Sequence, residues 1–125
     1  MTETTKDFFV LSVNHTTRES RFILLWNPNN AGYCNRLHVA GRYTKEQILS
    51  NLHYYNSGCD TIAVSCEVLE LMKVPAPDGW FDSDGGDVVE NNRVNWLRAI
   101  KGIIEAPQHK PRPEYPRARK VKEAD

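Results

Sequence analysis

Residues 44–66 read TKEQILSNLHYYNSGCDTIAVSC, and this stretch decides the fold because one side-chain period gives way to another inside it. Thr44 opens a helix, its hydroxyl placed to accept a hydrogen bond from the amide of residue 47 while Gln47 reaches back toward the cap. Ile48, Leu49, Leu52 and Tyr55 then recur at helical spacing, and Asn56-Ser57-Gly58 supplies the stop. From Asp60 to Cys66 the helical period is gone. TIAVSC is short and largely apolar, which predicts a strand buried on both faces.

Working outward, Asp7 to His15 and Arg21 to Trp26 are two apolar runs around the polar turn His15-Thr-Thr-Arg-Glu-Ser20, a pattern that predicts a β-hairpin. Phe9, Leu11 and Val13 alternate with Phe8, Val10 and Ser12, so the first strand has apolar groups on both faces and belongs in the middle of a sheet. On the other side, Glu67 to Lys73 predicts a helical turn or two that Pro75 and Pro77 end. Pro75 to Asp87 reads as a loop whose Trp80-Phe81 pair should fold back onto the core. Val88-Val89 follows as a brief extended segment. A last helix, from about Asn92 to Glu105, carries Trp96, Leu97, Ile100, Ile103 and Ile104 on one face. The expected fold is α+β: a small, mainly antiparallel sheet of three or four strands with two main helices packed on one face. A single domain would span 1–105. Residues 106–125 would be a disordered or extended basic, proline-rich tail.

Composition narrows the function classes. A chain of 125 residues with 40% apolar and 26% charged side chains is one globular domain, not a disordered segment. Without a run of about 18 apolar residues no membrane-spanning helix is expected, and the polar start lacks the apolar core of a signal peptide. Cys34, Cys59 and Cys66 make an odd set without framework spacing, which predicts free, mostly buried thiols and residence in the cytoplasm. The formal charge is zero but uneven: residues 106–125 hold six Lys/Arg against three Asp/Glu, and the first 105 hold ten against thirteen.

Familiar chemical signatures fail on spacing. His15, His38, His53 and His109 accompany the cysteines, yet none sits in a nucleophile motif, so no catalytic residue is assigned and binding is favoured over catalysis. Cys34 with His38, and His53 with Cys59, are too loosely paired for a structural zinc site. Asp78, Asp82, Asp84, Asp87 and Glu90 resemble a calcium loop until Asp82 is set first, which puts Gly86 fifth and Arg93 last, where an EF-hand needs ligands. No phosphate loop is present. Neither a cofactor nor a metal is expected.

What remains is Trp26 to Tyr43, WNPNNAGYCNRLHVAGRY. Asn27-Pro28-Asn29-Asn30 fixes a turn, and Gly32 and Gly41 permit close backbone approach. Trp26, Tyr33 and Tyr43 offer stacking faces, Arg36 and Arg42 offer guanidinium forks, and Asn29 and Asn30 offer amides. These seven residues are the candidate binding set. The competing reading is structural, with Trp26 ending a strand and Leu37, Val39 and Tyr43 alternating as a third.

The pattern W-x-P-x-x-x-G-Y at Trp26, Pro28, Gly32 and Tyr33, then A-G-x-Y-T from Ala40, D-T-I-A-V from Asp60 and N-W-L around Trp96, resembles small accessory proteins of tailed phages and prophages. The resemblance covers about residues 8–100 and carries no known reaction. It implies a phage origin. With the richness of the Trp26–Tyr43 segment, the leading expectation is a non-enzymatic binder of a host protein or protein complex in the host cytoplasm, for example an anti-defence inhibitor such as an anti-CRISPR. The alternative expectation is a module that binds or hydrolyses a nucleotide-like ligand. Nucleic acid would be met only weakly, through the tail, because the folded part is net negative.

Overall fold

The computed structural model describes residues 8–80 and 85–118. Strand β1 (Phe8–Ser12) lies inside a four-stranded antiparallel sheet, flanked by β2 (Leu25–Trp26) and β4 (Thr61–Ser65), with β3 (Tyr33–Cys34) beyond β2. β1 is central because both its faces are apolar: Phe9 pairs with Val64 and Leu11 with Ile62 along β4, while Leu11 faces Leu25 on β2.

Helix α1 (Lys45–Ser50) begins where the sequence predicts, with the Gln47 amide donating to the Thr44 hydroxyl at 3.0 Å. The Gln47 side chain does not return to the cap; its amide donates to the Tyr55 hydroxyl at 3.0 Å. Nor is the helix continuous. Asn51, at φ −153° and ψ 62°, separates α1 from α2 (Leu52–Tyr55), and Leu49 is left exposed. Helix α3 (Cys66–Met72) follows β4 directly, a small ladder joins β5 (Val74–Pro75) to β6 (Asp87–Val88), and α4 (Arg93–Lys101) starts on an Asn92 cap. Gly102 ends α4, so Ile103 and Ile104 lie beyond the helix and run beside β4, the Ile104 amide donating to Ala63 O at 2.9 Å.

The α+β class and antiparallel sheet are as expected, with the helices divided between the two faces. Phe9, Leu11, Ile62 and Val64 pack with Leu69 of α3 and Trp96 and Ala99 of α4. Val10 and Ala63, which alternate with them, pack with Ile48 of α1, Tyr55 of α2, Trp26 and Tyr43. The period-two alternation that makes β1 central also requires a cover on each side.

Residues 106–118, read from the sequence as tail, lie against this body. The His109 amide donates to Ser57 O at 3.0 Å, Tyr115 packs on the α3–α4 core, and Arg18 donates to Ala118 O. Gly58, at φ +94°, makes room for this docking: a Cβ there would fall on the His109 carbonyl. Residues 119–125 are outside the described residues. Trp80 folds back edge-on to Phe22 with ring centroids 5.2 Å apart, yet stays half exposed; Phe81, Asp82 and Asp84 lie outside the described residues. Of the thiols, Cys66 is buried, Cys34 half-buried and Cys59 exposed, a wetter set than the composition suggested. Among the described residues no helix is long and apolar enough to cross a membrane.

Candidate functional site

The seven residues singled out between Trp26 and Tyr43 divide between structure and surface. Trp26 and Tyr43 are 9% and 2% exposed and belong to the aromatic cluster on the α1–α2 face. The Tyr43 hydroxyl donates to Asn27 O at 2.6 Å and accepts from the Asn30 amide at 3.1 Å, and the Asn30 side chain donates to the Tyr55 hydroxyl at 3.3 Å. Burial raises the Tyr43 phenol above its ordinary pKa, partly offset by the Asn30 amide. Asn29 and Asn30 take φ near +60°, the left-handed turn that asparagine tolerates, within the 3₁₀ turn Pro28–Asn30. No strand forms over 37–43. Residues 37–40 turn sharply instead, with the Ala40 amide returning to Arg36 O, and the third strand is Tyr33–Cys34.

Arg42 leaves on the other side of the sheet. Its guanidinium sits 4.8 Å above the Phe9 ring and donates to Glu70 at 2.7 Å, and Lys73 closes the chain on Glu70 at 2.7 Å and on Asp87 at 3.5 Å. The Lys73 hydrogen bond and then Arg42 hold the Glu70 carboxyl below its usual range, and Glu70 in turn raises Lys73. His38 joins Arg42 on a groove of about 380 Å³, and the Arg36 chain lies beside Gly86 there. The arginines are therefore separated from the aromatic residues by the sheet itself.

Tyr33 remains on the aromatic side, 45% exposed, where it stacks on the His15 ring at 4.7 Å. With Trp26 it borders a groove of about 540 Å³, joined by Asn14 and His15 after β1, Asn51, His53 and Tyr54 around α2, and Asp60 before β4. Trp26 lies between two half-exposed tyrosines: Tyr33 is its partner across the β2–β3 ladder, and the Tyr54 ring meets it edge-on at 5.1 Å. Tyr54 is carried by α2, the short helix that follows the break at Asn51.

The groove's polar groups are fixed from behind. His15 Nδ1 lies 2.9 Å from Asn14 Oδ1 and His53 Nδ1 3.0 Å from Gln108 Oε1; with each amide oxygen accepting from Nδ1, the tautomer that results has Nε2 as an acceptor. The Ser57 hydroxyl oxygen accepts from the Asp60 and Thr61 amides, and the Thr61 hydroxyl donates to Tyr54 O, so these groups hold the loop's shape. Trp26 Nε1 differs: it is buried without a hydrogen-bond partner, the one such side-chain atom among the described residues.

The loosely paired histidines and cysteines are held apart. Cys34 Sγ turns toward Arg36 O and packs against the α3–α4 core, its thiol pushed up to about 11 by burial. His53 bonds Gln108, while Cys59 Sγ meets Ser57. Among the described residues no group of three His, Cys, Asp or Glu side chains is placed to hold a metal ion.

Sequence reasoning missed Asn51, His53, Tyr54 and Asp60 as groove residues. The signal for Tyr54 was present, since it is an aromatic residue off the apolar stripe of its helix. Nothing local marks Asn51 or Asp60. No protein-family model, curated protein or solved structure matches the chain, so the groove is interpreted from its own chemistry.

Proposed function

We propose that the chain is a binding module whose aromatic groove takes a small polar ligand with a planar ring, of nucleoside or nucleotide type. The observation that carries this is the placement of Tyr33 and Tyr54, both nearly half exposed, on either side of Trp26 in one groove. A base stacked on such a ring gains about 1–3 kcal/mol. Asp60 and the two histidine Nε2 atoms supply acceptors for ring N–H groups. An acceptor seated low in the groove would also relieve the orphaned indole, whose isolation costs about 1–3 kcal/mol.

Phosphate is not the anchor in this reading. Arg36 and Arg42 lie across the sheet, and Arg42 is engaged by Glu70. A nucleoside should therefore bind nearly as well as its phosphorylated form. The same reading puts the protein among phage-encoded accessory proteins of the host cytoplasm, on the residue patterns described above, and treats the groove as a place of capture.

Thermal unfolding with a panel of nucleosides, nucleotides and inorganic phosphate tests this, because a ligand that binds only the folded state raises Tm. A shift with at least one nucleoside is expected, lost in Tyr33→Ala and in Tyr54→Ala. A shift from phosphate alone, or one that survives both substitutions, would overturn the assignment.

A further inference from the structure

On the opposite face of the sheet, α4 and the chain from Lys110 to Ala118 enclose a second groove, of about 480 Å³. Trp96, Leu97, Ile100 and Tyr115 line it, with Pro111 and Pro113 along one side. Leu97 is 43% exposed there, and Val94, one turn back on α4, is 56% exposed. Apolar side chains left together on a surface mark a place that something else covers.

The rim identifies the covering chemistry. Arg93, Lys110 and Arg112 border the groove, and none of the three forms an ion pair among the described residues. Residues 91–118 hold six Lys/Arg against two Glu in a chain whose total charge is zero, so positive charge gathers where the apolar groups are exposed. Apolar side chains ringed by unpaired cations suit an occupant with apolar anchors and flanking carboxylates. The two rings in the lining are taken up by the core, Trp96 being 1% exposed and Tyr115 packed on the α3–α4 cluster, and Leu97 and Ile100 offer no flat face to a base, which argues against nucleic acid.

We propose that this groove docks an acidic amphipathic segment of a partner protein, its apolar side chains seated between α4 and residues 110–118 and its carboxylates against Arg93, Lys110 and Arg112. The site is independent of the ring-ligand groove.

Fluorescence anisotropy with the full chain tests it, using a short labelled peptide in which Leu and Phe alternate with Asp and Glu. Three controls accompany it: a peptide with Lys for the acids, a peptide with Ser for the apolar residues, and a single-stranded oligonucleotide. Saturable binding of the acidic peptide alone is expected, weakened about tenfold by Leu97→Asp and similarly by Lys110→Glu with Arg112→Glu. Both variants change exposed side chains, and unaltered thermal unfolding checks that each is folded. Several results would overturn the proposal: no saturable binding of the acidic peptide, equal binding of the Lys peptide, or tighter binding of the oligonucleotide that Leu97→Asp leaves unchanged. Peptide binding that appears only once residues 119–125 are removed would also overturn it, by showing that the chain fills its own groove.

Discussion

Two buried tryptophans, one on each face of the sheet, are treated differently by their surroundings. On the α3–α4 face Trp96 donates its indole N–H to Asn91 Oδ1 at 2.6 Å, and the Asn91 amide donates in turn to Thr17 O and Ser20 O. On the α1–α2 face Trp26 is ringed by Tyr43, Tyr54 and Tyr55, and its N–H has no partner. On the first face no buried side-chain polar atom among the described residues lacks a partner, and the Asn91 contacts tie the 17–20 turn to the core. The second is built from aromatic rings whose hydroxyls pin the 27–30 turn, and it stays open where it meets the groove.

Replacing each indole by a phenyl ring breaks this comparison most directly. Trp96→Phe loses ring contact and strands the Asn91 acceptor, at a cost of about 3 kcal/mol. Trp26→Phe loses similar contact but removes an orphaned donor, so it costs about 1 kcal/mol. Urea unfolding of both variants measures the difference. Equal losses would mean that the Trp26 N–H is satisfied in the folded protein.

Gly41→Ala comes next, because a Cβ there would lie 2.8 Å from Asn27 O and from Pro28 N. The Gly41 amide also donates to Trp26 O at 2.8 Å, so the 40–43 segment cannot withdraw without breaking that bond. A loss of about 2 kcal/mol is expected from overpacking, read from the same unfolding curves. A neutral result would show that the turn is free to shift, and with it the aromatic face.

A smaller effect probes the hydroxyl network. Tyr43→Phe leaves Asn27 O and the Asn30 amide without a shared partner and should cost about 1 kcal/mol. Tyr55→Phe removes the acceptor for the side chains of Asn30 and Gln47. Both tyrosines hold Asn30, so a double-mutant cycle should show coupling of about 0.5 kcal/mol or more. Strict additivity would mean that Asn30 is placed by its own backbone.

What was legible in the sequence was local. The Thr44 cap, the left-handed asparagines of the 28–30 turn, the strand from Thr61 and the central position of β1 each follow from a few neighbouring residues, and each is present. The choice of face was not legible, since helical and strand periods say that a side is buried and not which side of a shared sheet it will meet. The split of the candidate set is of this kind. Arg42 and Tyr43 are adjacent in an extended segment, so their side chains leave on opposite sides, toward Glu70 and toward Tyr55 respectively. The docking of residues 106–118 rests on Gly58 and on contacts such as Arg18 with Ala118, between positions that no period connects.

The last prediction concerns two weak acids, one on each face. Burial pushes Cys34, on the α3–α4 side, from an ordinary 9.0 up to about 11, and it raises Tyr43 on the aromatic side as well. In each case the folded protein keeps the proton longer than the unfolded chain does. The unfolded state therefore binds fewer protons once pH passes the ordinary pKa, and stability must fall as pH rises. For Cys34 that decline runs from about 9 to about 11. Cys34→Ala should flatten the first part of the alkaline loss, read from urea midpoints at pH about 8 and about 10, while Tyr43→Phe should flatten the part above about 10, read from a further midpoint at pH about 11. If Cys34→Ala leaves the slope unchanged, the thiol reaches solvent and the edge of the α3–α4 face at β3 is as open as the aromatic face beside it.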